Sequence, residues 1–186
     1  ILLIFSQLCM SIETCYIIDI AHHKKKNLPR VVKFLRSRDI KGIGIFTEAS
    51  DTEIKRAHEF YGNLSTFLLR QKAIEIHEPD YEASMQHAKE LYEASLAPVL
   101  RQLRDSSFGW QPETRVAEFN RFMQIVCDVR DPIIAKQIIE HTPKYSIFGS
   151  GHIPGVLARL KGQPKINVEV LQLISSPKSS AVPGTH

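Results

Sequence analysis

Short apolar runs alternate along the chain with stretches whose apolar residues recur at helical spacing. Thr14 to Ala21 (Thr-Cys-Tyr-Ile-Ile-Asp-Ile-Ala) is rich in β-branched and aromatic residues and predicts a buried strand. Leu28 to Arg38 carries apolar residues at 28, 31, 32, 34 and 35, close to one helical stripe, with Pro29 placed to start it. Gly42 to Glu48 predicts a second strand, and strand, helix, strand in this order implies a right-handed parallel crossover. From Asp51 to about Arg104 the pattern is helical, with one helix to about Gln71, a break near Glu78-Pro79, and a second helix from Tyr81 to Arg104 kinked at Pro98. Glu113 to His141 is helical as well, broken before Pro132. Tyr145 to Phe148 then reads as a buried strand entering a glycine-rich turn, and Pro154 suits the first turn of a helix. After the turn Lys161 to Pro164, residues Ile166, Val168 and Val170 alternate as in a final strand.

These elements predict an α/β fold: a central, mainly parallel sheet with flanking helices and an inserted helical block at about 51–104. A single domain over residues 1–174 is expected, with the polar, proline-containing residues 175–186 as a flexible tail. The 186-residue length fits one domain, and 43% hydrophobic with 24% charged residues excludes a disordered, collagenous or rod-like chain.

Charge changes the picture little. The net charge is +4, but part of the excess is local, in His22-His23-Lys24-Lys25-Lys26. No aromatic residues interleave this run and no recognised module accompanies it, which argues against nucleic acid as a partner. Cys9, Cys15 and Cys127 have no CxxC spacing, so neither a disulfide framework nor a cysteine zinc site is indicated. The apolar opening Ile1 to Met10 is too short to span a membrane. It reads either as the end of a signal-peptide hydrophobic region, which would imply export, or as a buried first element.

The candidate chemistry lies where strands end. His22 follows the first strand, Glu48 ends the second, and His152 lies in the Gly149-Ser150-Gly151-His152 turn after a third. In a parallel sheet these ends share one edge, where open α/β sheets place their ligands. Two imidazoles and a carboxylate suit a divalent metal such as manganese, cobalt or zinc, which would acidify bound water and polarise a carbonyl. Without a metal, the same groups suit general base catalysis.

The run Ile147 to Val156, preceded by Val129-Arg130-Asp131 and residues 135–139, resembles the C-terminal signature of the TraB/PrgY family and its Tiki and ChaN-like relatives. Arg130, Asp131, Gly151 and His152 take the places of that family's helical arginine-aspartate pair and glycine-histidine turn. Asp19-Ile20-Ala21-His22 and the strand ending in Glu48 take the places of its N-terminal motifs, with Asp19 where the family has glycine. The resemblance implies a mixed α/β fold and a hydrolase of peptide or ester bonds, metal-dependent in Tiki proteins. His22, Glu48 and His152 would then hold metal or activate water, and Arg130 would steady a carboxylate or an oxyanion. Arg130 and Asp131 would otherwise pair structurally.

Two other classes compete. One is a non-catalytic haem- or metal-binding module, as ChaN-like relatives bind haem, and here Tyr16, Tyr145 or a histidine would supply the ligand. A dinucleotide-binding unit would use Gly149 and Gly151 against phosphate, with Glu169 on a ribose, although Pro154 stands where that fingerprint needs glycine or alanine.

Overall fold

The structure is a computed structural model and describes residues 12–20, 27–48, 59–104 and 112–173, with side chains described outside 97–104 and 112–115. In chain order the elements are β1 (Glu13–Ile20), α1 (Leu28–Arg36), β2 (Gly44–Thr47), α2 (Glu59–Arg70) and β3 (Ile74–His77). They continue with α3 (Tyr81–Arg104), α4 (Pro112–His141), β4 (Tyr145–Gly149), a 3-10 turn at Ser150–His152, α5 (Ile153–Leu160) and β5 (Ile166–Leu171).

The five strands form one sheet in the order β3-β2-β4-β1-β5, and every pairing is parallel. The chain crosses the sheet in one direction from β1 through β2 to β3 and in the other from β3 through β4 to β5. Right-handed crossovers then put the connecting helices of the two halves on opposite faces. The two apolar clusters follow that rule. On one face Ile18, Ile20, Ile45 and Ile147 pack with Val31 and Leu35 of α1 and with Phe60, Leu64 and Leu68 of α2. On the other, Cys15, Ile17, Phe46 and Phe148 pack with Ile134, Ala135 and Ile138 of α4 and with Val156 and Leu160 of α5. The inner strands β1, β2 and β4 are buried on both faces because both are covered, which is why they read as apolar runs.

The block predicted as helical at about 51–104 is not helical throughout. Ile74–His77 is a strand at the sheet edge, paired with β2 in the register Gly44↔Ile74 and Thr47↔His77. It has four residues, and Ile74 stays 57% exposed, so it lacks the buried apolar run that marked β1, β2 and β4. The break predicted before Pro132 is also absent, since α4 continues through that proline. An interior proline costs about 3 kcal/mol. Full burial of Ile134 and Ile138 beyond it, each contributing roughly 1.5–3 kcal/mol, offsets that cost and holds both halves of the helix against the sheet.

Helices α3 and α4 lie along one another, with the Tyr92 and Phe122 rings in edge contact at 5.3 Å. Among the described residues no helix is long and apolar enough to cross a membrane. Residues 1–11, which include the opening apolar run, and the tail 175–186 lie outside the described residues.

Candidate functional site

The carboxyl ends of β2, β3 and β4 bring together the charged groups of the site. Side chains alternate faces along a strand, so the residue two beyond Phe46 in β2 and the residue two beyond Ile76 in β3 point to the α4 side. Those residues are Glu48 and Glu78, and the Thr47↔His77 register sets them beside each other. Both are buried, with relative exposures of 3% and 0%.

Two carboxylates in a dry edge need a cation, and α4 supplies Arg130. Its Nε lies 3.2 and 3.1 Å from the oxygens of Glu78, its second terminal nitrogen 2.6 Å from Glu78 Oε2, and its first 2.7 Å from Glu48 Oε1. Tyr81 covers the guanidinium face, 4.3 Å from ring centre to carbon. Burial opposes the charge on Arg130, but the two glutamates more than restore it and raise its pKa further. Glu48 Oε2 accepts from the Tyr61 hydroxyl and from the Gly149 N–H, each at 2.9 Å. Burial and the Glu48 charge raise the Tyr61 pKa well above its usual value, so this phenol remains a donor.

His152 closes the network from the turn after β4. Its Nδ1 is 2.6 Å from Asp131 Oδ1, and its Nε2 is 3.4 Å from Glu48 Oε1. Burial by itself favours the neutral ring. Hydrogen bonds to Asp131, Cys127 and Glu48 and the Glu48 charge outweigh it and push the pKa up to about 11. The ring is therefore an imidazolium at neutral pH, donating from both nitrogens. The 3.3 Å approach of Nε2 to Arg130 is then a meeting of two donors that share the same Glu48 oxygen.

Arg130 and Asp131 do not pair with each other, which corrects that expectation. Successive helical residues point about 100° apart, and here one reaches the two glutamates while the other reaches His152. Asp131 is held from behind by α5. A Cβ built on Gly155 would collide with the Asp131 carboxylate, lying 2.7 Å from its carboxyl carbon, so only glycine lets the helices approach this closely.

Of the sequence candidates, Glu48, Arg130 and His152 come together. His22 lies outside the described residues. Gly149 and Gly151, read as cradle residues, have their backbone groups engaged: the Gly149 N–H binds Glu48 and the Gly151 carbonyl accepts from Cys127 Sγ at 3.4 Å. Tyr16 and Tyr145 stack 5.8 Å apart on the α1 face, at the amino half of their strands. Asp19 is opposite Phe148, with Oδ1 buried and without a hydrogen-bond partner among the described residues, and burial raises its pKa.

Glu78, Tyr61, Tyr81 and Cys127 were not legible as site residues. For Glu78 the one feature shared with Glu48 is a glutamate two residues after an apolar residue, Ile76 and Phe46 respectively, which is too short a pattern to mark a strand end. For Cys127 the signal was its position four residues before Asp131, which puts both on one helix face.

Cys127, Asp131 and His152 form a buried group that could hold a metal ion, with one ligand atom from each within 4.8 Å of the others. For the metal expected on Glu48 and His152 the charge balance differs: the Arg130 guanidinium already stands against both Oε1 and Nε2.

Comparisons with family models, with curated proteins and with solved structures give no match.

Proposed function

We propose that the chain is a hydrolase of peptide or ester bonds that works by acid-base chemistry at the carboxyl edge of its sheet. The observation that carries this reading is the Glu48–His152 pair: a carboxylate oxygen and a protonated ring nitrogen 3.4 Å apart, at the end of a strand where open α/β sheets bind ligands. Glu48 takes a proton from water as it attacks the carbonyl carbon. His152 gives its Nε2 proton to the leaving amine or alcohol, and the proton on Glu48 restores it. Asp131 holds the ring and stabilises its charge, as the carboxylate does in other buried His–Asp pairs.

Arg130 supplies the stabilising charge. Nε and both terminal nitrogens each use one N–H on a glutamate, which leaves two of the five N–H groups of a guanidinium. The remaining ones are available to a developing oxyanion, whose interaction with them is strong in a water-poor site. The likeness of residues 129–156 to the TraB/PrgY signature supports the same reaction class.

The experiment is a screen of peptide and ester substrates with the wild-type chain and with Glu48→Gln and His152→Gln, which keep side-chain size. A proton-transfer group of this kind contributes roughly 10²–10⁴-fold in rate, so each variant is expected to lose at least about 100-fold while keeping its fold. Unchanged rates in both folded variants would sink the reading.

A further inference from the structure

We propose that Cys127, Asp131 and the Nδ1 nitrogen of His152 bind a single thiophilic divalent ion, zinc or cobalt, on the side of the imidazole away from Arg130. The inference shares His152 and Asp131 with the hydrolase reading but does not rest on it, and its test reads metal uptake rather than turnover.

The donors are of three kinds, a thiol sulfur, a carboxylate oxygen and a ring nitrogen, all from buried residues and all within 4.8 Å of one another. A tetrahedral ion with bonds of about 2.0–2.3 Å needs its ligands roughly 3.2–3.7 Å apart. Modest inward movement of the sulfur therefore suffices, together with a small opening of the 2.6 Å Asp131–His152 contact once its proton is gone. The Gly151 carbonyl oxygen lies beside the sulfur, 3.4 Å from Cys127 Sγ.

Charge is conserved in the exchange. The ion replaces the Nδ1 proton of the imidazolium and the thiol proton of Cys127, so a divalent cation enters as two protons leave.

The surroundings of the ring also suit a ligand. A metal-bound histidine ordinarily donates its other N–H to a carboxylate, which fixes the ring and raises its basicity. Here Glu48 Oε1 lies 3.4 Å from Nε2 and is itself held by Arg130. Asp131 is fixed from behind by its close approach to Gly155. Thiolate favours zinc and cobalt over manganese, which prefers oxygen ligands.

The test is cobalt titration of the reduced, chelator-treated full chain, followed by absorbance, with folding checked by circular dichroism. Uptake of one equivalent is expected, with a near-ultraviolet thiolate-to-cobalt band and the strong visible bands of a four-coordinate ion. Zinc should displace the cobalt and manganese should not. Cys127→Ser, which keeps the side-chain volume, should abolish the near-ultraviolet band and weaken uptake at least tenfold. Cys15→Ala and Cys9→Ala should leave both unchanged. No uptake by the wild-type chain, or a band that persists in Cys127→Ser, would overturn the inference.

Discussion

Glu48 and Glu78 stand beside each other at the ends of neighbouring parallel strands, and one buried arginine answers both. The Thr47↔His77 register puts the carboxylates on the same face, and Arg130 reaches them at 2.7 and 2.6 Å. The relationship fixes where α4 sits over the sheet, and with it Asp131, Cys127 and the partner of His152.

Breaking that clamp from its centre is expected to be costly. Arg130→Met leaves two buried carboxylates facing each other, and loss of one partner of a buried ion pair costs about 3–5 kcal/mol. Urea unfolding should show this loss, and adding Glu48→Gln and Glu78→Gln to Arg130→Met should recover much of it. A single variant as stable as wild type would mean that the carboxylates are not held as described.

Gly155→Ala is expected to act through Asp131. The added methyl group meets the carboxylate, and overpacking of this kind costs about 1–3 kcal/mol. In an Asp131→Ala background the same substitution should cost much less, because the carboxylate is gone and only the Cβ contact at 3.3 Å remains. A double-mutant cycle by urea unfolding checks this; equal costs in both backgrounds would place the strain elsewhere.

Stability is expected to fall as the solution becomes alkaline. The His152 pKa is raised from the ordinary 6.5 to about 11 in the folded chain. Its contribution is complete below the unfolded value, declines as pH rises above it, and is lost once pH passes the folded value. Cys15, raised to about 11 by burial, and Tyr61, raised well above 10.0, act in the same direction, but only above their higher unfolded values. Between about pH 6.5 and 9 the decline therefore belongs mainly to His152. Unfolding midpoints across that window should slope downward in the wild-type chain and much less in His152→Gln. Parallel slopes would show that His152 is neutral when folded.

The edge of the sheet was legible where strands are buried on both faces. β1, β2 and β4 each appear within two residues of the runs that predicted them, because burial on both sides writes an apolar run into the sequence, and β5, a largely exposed edge strand, was marked instead by the alternation of Ile166, Val168 and Val170. β3 wrote none, being four residues long at an edge, and Glu78 was hidden with it. Glu48 and His152 stood out because a strand end and a glycine-rich turn mark those places, and Arg130 stood out only through an expected family resemblance. The division of labour between Arg130 and Asp131 depends on which helix faces which strand end, a property of packing that spacing along one helix does not reveal. Cys127 carries no motif spacing to another cysteine, so its place beside His152 emerges only from the fold.

The most direct test of the central claim is the hydrolysis rate of the Glu48→Gln, His152→Gln double variant set beside the two single variants. If the pair transfers one proton as a unit, the double variant should be no slower than the slower single variant, since groups that act together are strongly non-additive. Losses that multiply, or no turnover of any peptide or ester by the wild-type chain, would contradict the account.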